Sequence, residues 1–236
     1  MRNAITSIAI LIAFVICSCK EDEMVITNAP YYFYIPSDTG RWILYDVDST
    51  YYYDFQNPSI IYHYTFQVIE RIDSKYIDNE GRETLRLQRA KRDSAGAPWI
   101  NYTQIWTSNL SSARYEKMEE NVRFVKLGFP IAFGKTWDGN AYNTLGKREY
   151  YYETIHEPLP LASFNFDSTI TVFQGYPANV IENKNGKEIF ANHVGMVYKK
   201  YNEIEFDSIP NHLGGVTYSY TINSYGLNNA PMFIQR

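Results

Sequence analysis

Hydrophobic and polar positions alternate along much of the chain. In IYHYTFQV (61–68), Tyr62, Tyr64, Phe66 and Val68 fall on one side and His63, Thr65 and Gln67 on the other. In VTYSYTIN (216–223), Val216, Tyr218, Tyr220 and Ile222 alternate with Thr217, Ser219, Thr221 and Asn223. INYTQIW (100–106) places Ile100, Tyr102 and Trp106 opposite Asn101 and Thr103. A period of two predicts strands with one buried face, as antiparallel sheets have. Similar patterns predict strands at 42–48, 84–91, 122–127, 148–155, 167–173, 187–191 and 195–206.

Between these runs, DNEG (78–81) and NKNG (183–186) read as hairpin turns in which glycine takes a positive φ, and SAGAP (94–98) reads as a break. SSARYEKMEEN (111–121) fits two readings: a helix capped at Ser112, or a hairpin turning at EEN. The flanking strands favour the hairpin. The fold expected is all-β: one antiparallel meander curved into a sandwich or a partly open barrel. The 22 tyrosines agree with strands.

The first thirty residues have another pattern. After Arg2, residues 4–16 (AITSIAILIAFVI) are apolar but for Thr6 and Ser7, the length of a signal-peptide core and too short for a spanning helix. Ile16-Cys17-Ser18-Cys19 then resembles a bacterial lipobox. This implies cleavage after Ser18 and acylation, including palmitate, at Cys19. The expected organisation is a lipoprotein signal peptide (1–18), a lipidated N-terminus and flexible tether (19–30), and a single β-rich domain (31–236). Only two cysteines occur, so the domain has no disulfide, thiol nucleophile or thiolate ligand. Without Arg2 the mature chain has 21 bases, one fewer than the 22 of the whole, against 26 acids. Lys20-Glu21-Asp22-Glu23 resembles the export signal of Bacteroidota surface lipoproteins. The expected location is therefore the outer membrane, lipid-anchored, on the cell surface. Residues 20–30 reach at most about 35 Å from the membrane.

Motifs for chemistry are few. Gly134-Lys135-Thr136 matches the end of a phosphate loop, but Phe129 stands where the first glycine is required. It is read as a turn before a strand, with Trp137 packing. His63, His156, His193 and His212 are scattered, and His63 lies on a polar strand face. Asp46 and Asp48 lack the glycine and distal glutamate of a calcium loop, and no G-x-S-x-G occurs. No cofactor or metal is implied. Asp46/Asp48, Glu119/Glu120 and Glu153/Glu157 are candidate carboxylate pairs of the kind glycosidases use. The runs YYFY (31–34), YYY (51–53) and YYY (150–152) put tyrosines on both faces of any strand they occupy, so some rings are available to sugars or peptides. The negative charge and lack of basic clusters exclude nucleic acid as a partner.

FPIAFGKTWDGNAYN (129–143) and FANHVGMVYKKY (190–201) resemble a family of Bacteroidota lipoproteins of unknown function, with His193 where a glycine is usual. The resemblance implies fold and location and brings no catalytic residues. Four triplets, DST, DSA, DST and DSI, match the Bacteroidota O-glycosylation pattern at Ser49, Ser94, Ser168 and Ser208. Three functions remain, in order: a non-catalytic domain binding a glycan, peptide or envelope protein; a carrier of an apolar ligand in a half-barrel; and a glycan hydrolase with a dispersed carboxylate pair.

Overall fold

A computed structural model describes residues 30–53, 60–100, 104–175, 179–206 and 213–230. Cys19, the expected signal peptide, most of the expected tether and Ser208 lie outside these residues. A 3-10 turn, Pro30–Tyr34, comes first. Twelve strands follow: β1 (Arg41–Tyr53), β2 (Ile60–Ile77), β3 (Glu83–Arg92), β4 (Gln104–Leu110), β5 (Arg114–Glu119), β6 (Val122–Gly128), β7 (Thr136–Asp138), β8 (Glu149–Leu161), β9 (Phe164–Gly175), β10 (Glu182–Ala191), β11 (Gly195–Phe206) and β12 (Leu213–Leu227).

The strands form one antiparallel sheet in the order β6-β5-β4-β3-β2-β1-β12-β11-β10-β9-β8-β7, nearly closed into a barrel. The meander expected from the alternation is correct, and the barrel is the form it takes. Every neighbour but one is consecutive in sequence; the exception is β1 on β12, which joins the two halves. The outermost strands β6 and β7 then approach each other. Val125 N–H donates to Gly139 O (2.9 Å), and Trp137 Nε1 donates to Val125 O (2.9 Å). Tyr152 adds a bond from its hydroxyl to Gly128 O (3.0 Å). These bonds use edge groups that an open sheet would leave for another chain.

One end of the barrel is filled. Tyr34 and Ile35 pack with Leu127, Tyr152, Ile170, Val172 and Phe190 in the largest apolar cluster. Each of those aliphatic side chains contributes about 1.5–3 kcal/mol by leaving water. The tip of the β8–β9 hairpin adds Leu161 and Phe164, which pack with Val194, Val197 and Ile222. The last residues of β1, β3 and β11 and the first residues of β2, β4 and β12 lie at the opposite end.

Several local expectations fit. The 111–121 segment is a hairpin, turning where Glu120 and Asn121 take positive φ (48° and 64°). DNEG is a turn: the Asp78 carboxylate accepts the Glu80 and Arg82 amides at 2.9 and 3.0 Å, and Gly81 has φ 79°. GKT forms a turn before β7, with Gly134 at φ 71° and Trp137 against Tyr152.

Four details require correction. NKNG is not a turn but lies inside β10. Its asparagines bond each other and Asn202 along the sheet (2.7 and 2.9 Å), and a Cβ at Gly186 would stand 2.9 Å from Gln174 Oε1. The turn lies earlier, where Asn179 Oδ1 accepts the Ile181 and Glu182 amides. YYFY is a 3-10 turn rather than a strand. Tyr62 and Tyr64 are exposed (43% and 54%), because their part of β2 extends beyond the packed barrel wall. Finally, β4 starts at Gln104, so Ile100 precedes it and is exposed, and residues 101–103 lie outside the described residues.

Candidate functional site

The inward positions of the barrel are not uniformly apolar. Glu70 on β2, Arg89 on β3, Lys117 and Glu119 on β5, Lys126 on β6, Glu188 on β10 and Lys199 on β11 meet at mid-height. Strand register brings them together. Arg89 pairs with Glu70, and Glu188 pairs with Lys199. A register shift between Tyr115 and Glu116 leaves Lys126 as the extra residue on β6 and aims it inward.

Two linked groups result. Lys126 Nζ is 2.8 Å from Glu188 Oε1 and 3.0 Å from Glu119 Oε1, and Lys199 Nζ is 3.3 Å from Glu119 Oε2 and 3.5 Å from Glu188 Oε1. In the second group, Lys117 Nζ contacts both Glu70 oxygens at 2.8 and 2.9 Å, and Arg89 Nε is 3.2 Å from Glu70 Oε2. The Arg89 guanidinium stacks 3.4 Å over the Trp106 ring, and its Nη1 donates to Gln104 Oε1 (3.2 Å).

Burial alone would raise the carboxyls of Glu119 and Glu188. Lys126 and Lys199 outweigh it and hold both below the usual range. Burial alone would strip protons from Lys126 and Lys199, but Glu119 and Glu188 hold both above their ordinary value. The tyrosines beside them stay neutral. Burial pushes Tyr45 and Tyr115 up, and Tyr150 up to about 12.

The belt divides the interior. Towards the filled end is a small cavity of about 70 Å³ that Glu188, Lys126, Tyr34 and Ile35 line. Among the described residues, Glu188 Oε2 is buried there without a hydrogen-bond partner. Towards the other end lies a cavity of about 440 Å³, within the range of small-molecule sites. Arg89, Lys117 and Lys199 line it together with the carboxylates of Glu70 and Glu119 and with Gln104, Trp106, Tyr218 and Tyr220, and the exposed Glu120 borders it.

Beyond this cavity the same inward face continues as a row of rings. Register puts Tyr201, Tyr218, Ser49 and Tyr64 side by side across β11, β12, β1 and β2. One step further out are Glu203, Val216, Tyr51 and Tyr62. Tyr201 and Tyr218 stack at 5.2 Å, and Tyr62 and Tyr64 at 6.5 Å. Tyr51, Tyr62 and Tyr64 are all exposed.

Most residues singled out from sequence lie elsewhere. Asp46 and Asp48 face outward; Asp46 bonds Gln67 and Asn223, and Asp48 bonds His63 (3.0 Å). Glu153 pairs with Lys187 at 2.6 Å. Glu119 does belong to the site, but its carboxylate neighbour is Glu188; Glu120 accepts a bond from Trp106 Nε1 (3.1 Å). Ser94 lies in an exposed turn, Ser49 is half-buried in β1, and Ser168 Oγ lies 2.6 Å from the Tyr34 hydroxyl. His193 has φ 60°, which is why a glycine suits its place in the resembling segments. Sequence reasoning missed Glu70, Arg89, Lys117, Lys126, Glu188 and Lys199. One signal was present: charges on inward positions of otherwise alternating strands, as in LRLQRA (85–90) and GMVYKKY (195–201).

No family model matches the chain, and no curated protein matches it. Among solved structures it is similar to one described as a "putative lipoprotein" from Parabacteroides distasonis ATCC 8503. That similarity has 9% identity and a TM-score of 0.39, and covers 82% of this chain and 98% of the other.

Proposed function

We propose that the chain is a lipid-anchored protein of the outer membrane, exposed at the cell surface, whose barrel binds a glycan without catalysing a reaction on it. The observation that carries the binding reading is the 440 Å³ cavity, lined by charged groups and continuous with exposed tyrosines. Fixed hydrogen-bonding groups inside and stacking faces outside match a sugar polymer, which offers hydroxyls at its edges and apolar C–H surfaces on its faces.

The other readings fit less well. An apolar ligand would remove water from the Arg89, Lys117 and Lys199 charges without replacing it, which is costly. A glycosidase needs one carboxyl that holds its proton, whereas Glu119 and Glu188 are both held ionised. A peptide adding to the sheet edge would have to displace the Val125–Gly139 bond.

The geometry also agrees with an anchor at Cys19. The described chain enters at Pro30, beside the filled end of the barrel. A lipid on Cys19 would hold that end within about 35 Å of the membrane and leave the cavity mouth facing outward. The acidic run after Cys19 supports export to the surface.

The test is a glycan array probed with the mature protein, wild type and Tyr64→Ala. The expected result is binding without turnover that Tyr64→Ala weakens about tenfold, the value of one lost stacking contact. Turnover, or binding indifferent to Tyr64, contradicts the reading.

A further inference from the structure

Among the described residues, the buried charges of the barrel do not balance. Around Glu119 and Glu188, two carboxylates meet two lysines. Around Glu70, one carboxylate meets two cations, Lys117 and Arg89. The side chains of both cations are only 8% exposed. A cation without a full counter-charge is expensive away from water. Glu120 at the rim is exposed, so water screens it.

The excess is directed at open space. Arg89, Lys117 and Lys199 line the larger cavity against two carboxylates, Glu70 and Glu119, with Gln104 and Trp106 beside Arg89. Stacking on Trp106 and the bond to Gln104 fix the plane of the Arg89 guanidinium, and Glu70 Oε2 stands 3.2 Å from its Nε as an ion contact without a hydrogen bond. A guanidinium fixed this way suits a carboxylate, sulfate or phosphate.

We propose that the glycan bound by this barrel is acidic. Its anionic group enters the cavity beside Arg89 and Lys117, and its uncharged sugar faces lie along Tyr218, Tyr64 and Tyr62. The inference rests on the glycan-binding reading and adds the ligand's charge and its direction of entry. Ligands whose rings carry carboxylates or sulfates share this chemistry.

The experiment compares trigalacturonate with its full methyl ester by calorimetry on the complete mature protein in detergent micelles at low salt. The two ligands share rings and differ in charge. The acid is expected to bind at least about tenfold more tightly, since a hydrogen bond to a charged group is worth about that much or more. A second variant supplies the missing charge from the protein. Gln104→Glu puts a carboxylate where the amide oxygen now meets Arg89 Nη1. It is expected to raise the melting temperature and remove the preference for acid over ester.

Equal affinity for acid and ester overturns the inference and leaves the glycan reading in place. Binding of neither, together with no binding to other acidic or neutral glycans, overturns both. An acid preference that survives Gln104→Glu overturns the placement beside Arg89.

Discussion

Lys126 and Glu188 form a 2.8 Å ion pair inside the barrel, their side chains 4% and 1% exposed. The two residues are 62 apart in sequence, and their strands lie on the two sides of the β1–β12 junction. The pair therefore ties one half of the meander to the other through the interior, while Val125 and Gly139 tie them along the edge.

Breaking that pair on one side should be costly. Lys126→Met leaves Glu188 with only the longer contact to Lys199. Urea unfolding should show a loss of about 3–5 kcal/mol. Lys126→Met combined with Glu188→Leu should cost less than the sum of the single changes, with a coupling of about 0.5–3 kcal/mol. Strict additivity would mean that the two charges act independently.

Stability should be highest between about pH 5 and 10. Glu119 and Glu188 have depressed values in the folded barrel. Their contribution is full above the ordinary glutamate range near pH 4.3 and is lost as pH falls below it towards their folded values. Lys126 and Lys199 have raised values. Their contribution is full below about pH 10.4 and is lost as pH rises above it. Tyr150, held neutral up to about pH 12, acts in the same direction on the alkaline side. Chemical unfolding across pH 3–11 checks this shape. A curve flat through both limits would contradict the ionised belt.

Trp137→Phe keeps much of the ring packing against Tyr152 and deletes the bond to Val125 O. A loss of about 1 kcal/mol is expected. Amide exchange should quicken at Val125, which bonds Gly139 across the seam, and stay unchanged in β1 and β2. Uniform acceleration would show that the seam does not open on its own.

The fold was largely readable because strand alternation is a local signal. HVGMVYKKYNEIEF yielded β11 with its observed limits, Gly195 and Phe206. Errors arose where local chemistry pointed one way and sheet pairing another. Asn183-Lys184-Asn185-Gly186 has turn composition, yet its asparagines bond within the sheet. The site was mostly hidden. Lys199 looks like any charged strand residue until barrel closure turns it towards Glu119 and Glu188. The counter-charges come from β5 and β10, and no spacing rule in sequence links those segments. The sequence drew attention to paired acids such as Glu119/Glu120, whereas the structure pairs acids with bases.

The anchor is tested separately from the barrel. Cys19→Ala should yield a precursor that retains residues 1–18 and takes up no labelled palmitate. Label that persists in this variant, or is lost only with Cys17→Ala, contradicts acylation at Cys19.

We propose that the charged, tyrosine-rimmed cavity binds a glycan. The most direct measurement is a titration of trigalacturonate into the mature protein, followed by tyrosine and tryptophan fluorescence, for wild type, Tyr64→Ala and Gln104→Glu. Tyr62 and Tyr64 are exposed, so Tyr64→Ala should leave folding intact. Saturable binding to wild type is expected, with about tenfold weaker binding to Tyr64→Ala and, in Gln104→Glu, binding of the acid weakened at least about tenfold to the level of the ester together with a higher melting temperature. Equal titration curves for all three folded proteins would contradict glycan binding in this cavity.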